Sequence, residues 1–198
     1  MRVIAGRLGG RRLRSVPGDA TRPTSDRVRE SLFAILGDRV RDARVLDLFA
    51  GSGALAVEAL SRGAASAVLV EPAPAAVSVI RSNLETLGLD AAATVRRTRA
   101  EVWLRSQRDG AFDLALLDPP YDVQVGYLAG VLARLARTAL APGATVVLEA
   151  SSRGEAPPWP DELEPAEPRR YGGTALHLAA YTGSGPRPAG GGNRLPPG

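Results

Sequence analysis

Cysteine is absent from the 198-residue chain, histidine occurs once, at His177, and every basic residue is an arginine, with no lysine. Without cysteine there is no disulfide framework, no thiol nucleophile and no thiolate metal site. A single histidine rules out paired-histidine zinc motifs such as H-E-x-x-H, so no metal is expected. No apolar run approaches the ~20 residues that span a bilayer, and Met1-Arg-Val-Ile-Ala-Gly lacks the long apolar segment of a signal peptide. A cytoplasmic location with no membrane partner is therefore expected. A composition of 44% hydrophobic and 23% charged residues describes one globular domain with at most a small attachment. At this size folding buries roughly 70% of the unfolded surface, so no covalent or metal staple is required.

The net charge of +4 is unevenly placed. Residues 1–41 hold ten arginines against Asp19, Asp26, Glu30 and Asp38, whereas the rest of the chain carries slightly more acids than arginines. A basic N-terminal end points to a phosphate-bearing partner, with nucleic acid in first place. A merely solvated surface is the competing interpretation. The exclusive use of arginine is compatible with a GC-rich genome, so the position of the charges carries more weight than their type.

Residues 1–20 read as a basic β-hairpin extension, with strands at 2–5 and 12–16 about Gly9-Gly10, and Arg7, Arg11, Arg12 and Arg14 on its outward face. Arg22-Pro-Thr-Ser-Asp then opens a helix that Thr24 or Ser25 can cap, and Val28, Leu32, Ile35 and Leu36 recur at helical spacing up to Gly37. Strand patterns follow at 45–49, 67–71, 94–97, 113–118 and 145–149, with helical patterns at 54–62, 73–87, 101–105 and 126–140 between them. Repeated βα units of this length give a doubly wound α/β domain with a mostly parallel sheet, here placed at 21–181. Residues 150–167 read as a loop and 169–181 as a terminal hairpin. The Gly/Pro-rich stretch 182–198 has almost nothing to bury and reads as a disordered tail.

Two motifs carry chemistry. In Val45-Leu-Asp-Leu-Phe-Ala-Gly-Ser-Gly-Ala-Leu55 an apolar strand runs through Gly51-Ser52-Gly53 straight into a helix. Gly51, Gly53 and Ala56 satisfy G-x-G-x-x-A, and Glu71 ends the next strand where a ribose-binding acid belongs. The motif fits an adenosine-bearing cofactor, either a nicotinamide dinucleotide or S-adenosylmethionine. Asp47 leans towards the latter, since a carboxylate suits a cationic amino group and opposes a pyrophosphate. The second motif, Leu114-Ala-Leu-Leu-Asp118-Pro119-Pro120-Tyr121, places an acid, two prolines and an aromatic at the carboxyl end of a later strand, the edge at which open α/β sheets bind ligands. A carboxylate, carbonyls beside prolines and a flat ring together suit an exocyclic amino group on a nucleobase.

The pair Leu46-Asp-Leu-Phe-Ala-Gly-Ser-Gly and Asp118-Pro-Pro-Tyr resembles that of class I S-adenosylmethionine-dependent methyltransferases acting on exocyclic amines. Arg2-Val-Ile-Ala-Gly, Gly10-Arg-Arg-Leu and Arg22-Pro-Thr-Ser-Asp-Arg-Val-Arg-Glu-Ser-Leu-Phe narrow the resemblance to the RsmD-type bacterial 16S ribosomal RNA guanine-N2 methyltransferases. The resemblance extends to about residue 181, through Glu71-Pro72 and Tyr171-Gly-Gly-Thr. It implies a seven-stranded Rossmann-like sheet, S-adenosylmethionine as cofactor, and 16S rRNA or a small-subunit assembly intermediate as partner, met by a monomer. Cofactor contacts are then expected from Asp47, Phe49, Ala50, Gly51, Ser52, Gly53, Glu71 and Pro72, with Thr24 and Arg27 in a covering segment. Catalysis would fall to Asp118, Pro119, Pro120 and Tyr121, and RNA contacts to Arg7, Arg11, Arg12, Arg14 and Arg22. One departure is Thr98-Arg99-Ala100, where many relatives carry an acid towards the adenine amine; Glu101 is a weak substitute. His177 reads as a strand residue rather than a base, and Trp103 as packing. A DNA adenine-N6 or cytosine-N4 methyltransferase, a nicotinamide oxidoreductase and a non-catalytic RNA-binding protein are the alternatives.

Overall fold

Strands that alternate in side-chain direction can feed two separate cores, and the apolar runs of this chain do so. The computed structural model describes residues 1–17, 26–108 and 110–183. Its parallel strands are β1 (Arg44–Leu48), β2 (Ser66–Val70), β3 (Ala93–Arg96), β4 (Phe112–Leu117) and β5 (Leu140–Ser151). Three strands complete the sheet: β6 (Leu163–Pro165), β7 (Arg169–Tyr171) and β8 (Thr174–Tyr181). The order is β3-β2-β1-β4-β5-β8-β6, with β8 antiparallel to β5 and β7 also paired to β8. Helices α1 (Asp26–Leu36), α2 (Ala54–Ser61) and α3 (Pro74–Leu87) share a core with Val45, Leu114 and Leu116 on one face. Helices α4 (Ala100–Leu104) and α5 (Val125–Thr138) pack on the other face against Leu46, Leu48, Ala115 and Leu117. Both faces being covered explains the near-continuous apolar strands. Among the described residues no helix is long and apolar enough to cross a membrane.

The order reverses direction between β1 and β4, which is the topological switch point where ligands bind in open α/β sheets. The two sequence motifs leave the carboxyl ends of these two strands.

Several boundaries depart from expectation. The sheet has eight strands rather than seven, because β6 and β7, three residues each, divide one flank of the longer β8 between them. Residues 150–167 are not all loop: β5 runs on to Ser151, and β6 uses Pro165 at an edge. The helix expected to reach Leu140 stops at Thr138, and Leu140 instead pairs with Phe112 before the ladder shifts to Leu114 opposite Thr145. The run Leu135–Leu140 is apolar in both periodicities, so the sequence does not mark the change. The expected cap residues Thr24 and Ser25, and 184–198 of the expected tail, lie outside the described residues, as does Arg22.

The N-terminal extension is the largest correction. Instead of two strands there is a single antiparallel bridge between Arg2 and Arg12. The backbone amides that a ladder would use are taken by α2. Glu58, fully buried, accepts from the amides of Ile4 (2.7 Å) and Ala5 (3.0 Å) and from Arg62 Nε (2.7 Å). Ser61 accepts from Arg7 N at its carbonyl and from Leu8 N at its Oγ, and donates to the Ala5 carbonyl. Gly6 makes this approach possible: at φ +80° a Cβ would sit 2.1 Å from the Ser61 carbonyl oxygen. Val3 and Leu13 are buried in the same core as α1 and α2. Arg29, also fully buried, donates from Nη2 to the Arg2 carbonyl and to Asp26 Oδ1. Burial lowers its pKa, and Asp26 and Glu58 oppose that shift.

Glu58→Ala leaves two buried amides and a guanidinium without their acceptor. Urea unfolding should show a loss of about 3–5 kcal/mol, accompanied by faster hydrogen exchange at Ile4 and Ala5; a loss within the range of an ordinary surface substitution would contradict the arrangement.

Candidate active site

The site begins with a buried carboxylate. Asp47, in the fourth position of β1, is 1% exposed. Its Oδ2 accepts from the amide of Ala56 in the first turn of α2, at 3.1 Å. Its Oδ1 is buried and has no hydrogen-bond partner among the described residues. Desolvation pushes the Asp47 carboxyl up to about 8; the Ala56 bond opposes this, while Asp118 and Glu71 add to it. A bare acceptor atom in such a place suits a cation.

Between Asp47 and α2 the chain makes a forced turn. Phe49 has φ 65° and Gly51 φ 54°, and Gly53, at φ 79°, immediately precedes α2. The Phe49 conformation is costly for a side chain with a Cβ, and such strain collects at functional sites. A Cβ on Gly53 would meet Leu69 Cδ2 at 3.1 Å, so strand β2 itself demands glycine there. Glu71, buried just past the end of β2, braces the turn: Oε2 accepts from Gly51 N and Oε1 from Ala73 N, both at 2.9 Å. Each oxygen keeps a second acceptor site for ligand hydroxyls. Pro72 is exposed beside it, Ala50 is buried, and Ser52 is half-buried.

Asn83 was not singled out in the sequence, yet it joins two regions that were. It is 3% exposed; Oδ1 accepts from Arg14 N at 2.8 Å, and Nδ2 donates to the carbonyls of Arg14 and Ser52, each at 3.1 Å. The arginine-bearing N-terminal segment is thereby fastened to the glycine turn. Its signal is an amide three residues after Ile80 on the core side of an apolar helix, where a polar residue needs partners.

Asp118 follows β4. Because Leu48 pairs with Leu117 and Leu117 with Leu148, it emerges between the ends of β1 and β5. Asp118 is half-buried and Pro119 buried; Pro120 is exposed, and its carbonyl accepts from Val123 N at 3.0 Å to close a turn. Tyr121 remains 46% exposed with its hydroxyl 3.3 Å from Thr174 Oγ1 on β8, leaving much of the ring open. A cavity of about 170 Å³ adjoins it, lined by Pro119, Pro120, Tyr121, Leu148 and Glu149 among others.

Asp47, Glu71 and Asp118 thus meet at one sheet edge. Arg7, Arg11, Arg12 and Arg14 are exposed on the N-terminal segment, and Arg27 is exposed in the first turn of α1. Thr24 and Arg22 lie outside the described residues. Glu101 accepts from Tyr127 Oη at 2.6 Å, and that ring meets Phe49 edge-on at 6.4 Å. Burial, followed by Glu101, pushes the Tyr127 phenol up to about 12. His177 sits on β8 opposite Leu148, and Trp103 packs on Phe112.

A family model described as Conserved hypothetical protein 95 matches residues 1–180. The chain belongs to the RsmD family. Bacillus subtilis YlbH is 46% identical over 126 residues, covering 63% of this chain and 68% of that one. Ribosomal RNA small subunit methyltransferase D of Escherichia coli K12 is 42% identical over 121 residues, covering 61% of this chain and 60% of that protein. The chain thus spans about three fifths to two thirds of these relatives' length. Among solved structures, yhhF from Escherichia coli superposes with a TM-score of 0.81 at 34% identity, covering 92% of this chain and 98% of that one. TrmN from Thermus thermophilus, at 22% identity and a TM-score of 0.66, covers 78% of this RsmD-family chain and 48% of its own; it shares the fold. That fold is the class I methyltransferase fold.

The raised Asp47 pKa has a stability consequence. The folded carboxyl titrates at about 8 rather than 3.8, so the ligand-free protein holds an extra proton between those values and loses stability as pH rises through that window. Asp47→Asn removes this contribution. Denaturant unfolding at low and at high pH should show the variant gaining on the wild type as pH rises; a pH-independent difference would contradict the assignment.

Proposed function

We propose that this protein is an S-adenosylmethionine-dependent methyltransferase that modifies the exocyclic N2 amine of a guanine in 16S ribosomal RNA. The observation that carries the reading is the pairing, across the switch point, of the bare buried oxygen of Asp47 with Asp118-Pro119-Pro120-Tyr121. The residues fit the cofactor. Asp47 Oδ1 would take its ammonium group, the backbone at Gly51–Gly53 its methionine end, and the remaining acceptor sites of Glu71 its ribose hydroxyls. Phe49 and Tyr127 offer apolar surface nearby, with Glu101 held by Tyr127. Bound there, S-adenosylmethionine supplies an electrophilic methyl group on a sulfonium centre.

The protein's own work is done on the nucleophile. The guanine N2 lone pair is delocalised into the ring and attacks poorly. Asp118 and the Pro119 carbonyl accept from the amine, favouring a pyramidal nitrogen whose lone pair is localised. The proton that the nitrogen sheds on taking the methyl is already hydrogen-bonded to Asp118. Tyr121 stacks on the base, which must first leave its own stack. Orientation and fixed dipoles supply most of the acceleration. The exposed arginines of residues 1–14 hold the phosphate backbone, and recognition of 16S rRNA in particular is favoured by the likeness to small subunit methyltransferase D.

Labelled S-adenosylmethionine incubated with small-subunit RNA and with assembled subunits from cells lacking this protein should give N2-methylguanine in the RNA; label in DNA alone would overturn the substrate. Asp118→Ala should retain cofactor affinity while kcat falls by about 10²–10³, whereas Asp47→Asn should lose cofactor affinity. Equal loss of binding and turnover in Asp118→Ala would contradict the role given to it.

A further inference from the structure

Glu149 lies at the same sheet edge, outside the two motifs. It follows Leu148 in β5 as Asp118 follows Leu117 in β4, and Leu117 and Leu148 are registered partners in a parallel pair. Leu117 and Leu148 both point into the core beneath α4 and α5. Alternation then sends the next residues, Asp118 and Glu149, to the opposite face, on strands about 4.8 Å apart. Glu149 is 5% exposed, and it lines the cavity formed with Pro119, Pro120 and Tyr121. The far side of Tyr121 is fixed by Thr174, whose strand β8 runs alongside β5 and pairs Leu176 with Glu149. A carboxylate this deep needs a reason, since an ion in such a place is costly unless donors face it.

We propose that Glu149 is the residue that selects guanine, accepting the N1–H of the target base while Asp118 holds the neighbouring amine. This deepens the methyltransferase reading and rests on it. The three bases that carry an exocyclic amine differ at the ring nitrogen next to it. Guanine has a donor there, N1–H. Adenine and cytosine have a lone pair, at N1 and N3. A base taken out of its stack is read along this edge. Two carboxylates on adjacent strands match two adjacent donors, and the second of them faces a lone pair when the base is wrong. An acceptor set against an acceptor in a dry pocket rejects a substrate far more strongly than a missing contact does. Asp118 alone cannot make this distinction, because all three bases offer it an amine.

The test replaces the guanine that the wild-type enzyme methylates with 2-aminopurine, which keeps the 2-amine but carries a lone pair at N1. For the wild type, kcat/KM should fall by about 100-fold or more on this exchange. In Glu149→Gln, whose amide can donate to the N1 lone pair, activity on guanine should fall and the discrimination should shrink at least tenfold. Cofactor affinity and melting temperature should match the wild type, which separates base recognition from a structural role. Equal wild-type activity on the two bases, or full discrimination retained in Glu149→Gln, overturns the proposal. If the variant fails to fold, the wild-type comparison decides alone. If the wild type methylates no guanine in any RNA, the proposed function fails and this inference with it, an outcome separable from a guanine methyltransferase that ignores N1.

Discussion

The bond from the Ala56 amide to the Asp47 carboxylate organises the functional half of the molecule. It joins the end of β1 to the first turn of α2 across the turn Phe49–Gly53, and so fixes the distance over which that turn must fold. Phe49 is held at positive φ and Gly53 is pressed against Leu69 as a result. A helix N-terminus offers partial positive charge and amides without internal partners, which a carboxylate satisfies. The same burial that makes the bond strong strips water from the second oxygen. One carboxylate therefore serves as a cap on one side and as an unsatisfied acceptor on the other. Glu71 repeats the device less severely, bracing Gly51 and Ala73 while keeping acceptor capacity.

The opposite end of α2 and the facing side of α3 hold the N-terminal segment. Glu58 and Ser61 take the amides from Ile4 to Leu8, and Asn83 takes both backbone groups of Arg14. The arginines of residues 7–14 are therefore mounted on fixed backbone rather than on an independent hairpin. Asn83 also holds the Ser52 carbonyl, so the basic segment and the glycine turn share one buried amide. A guanidinium on a fixed backbone loses less conformational entropy on meeting a phosphate than one on a mobile arm.

Much of this was legible in the sequence because it depends on periodicity. Val45 to Leu48 and Leu114 to Leu117 read as strands buried on both faces, and Val77, Ile80, Leu84 and Leu87 as the core stripe of a helix, because burial follows directly from spacing. The motifs at Gly51 and Asp118 were legible because their residue types are restrictive. The N-terminal ladder was not. Gly9-Gly10 signals a turn, but whether the flanking amides pair with each other or with Glu58 is decided by a residue some fifty positions away. Leu140 shows the converse: an apolar run that satisfies both periods keeps its switch from helix to strand hidden until β4 supplies a partner. Glu149 and Asn83 are single polar residues in apolar elements, and only the assembled sheet and the docked segment show what each one faces.

The arrangement of charge also constrains what can enter the site. The sheet edge carries Asp47, Glu71, Asp118 and Glu149, three of them buried, and the arginines lie outside it on the N-terminal segment. A phosphate pushed into the depth would meet carboxylates in low dielectric, where repulsion is strong. A base that leaves its stack brings hydrogen-bond donors and no charge, and a sulfonium with an ammonium group brings positive charge. The acidic interior and basic rim therefore sort a nucleic acid by its parts: backbone outside, base inside. A positively charged cofactor satisfies carboxylates that would otherwise repel one another, so its binding relieves the strain that Asp118 and Glu71 impose on Asp47. The same field disfavours an anionic dinucleotide in the glycine turn, where Asp47 would face a pyrophosphate. The turn shared with dinucleotide-binding folds thus takes its ligand preference from one buried side chain beneath it.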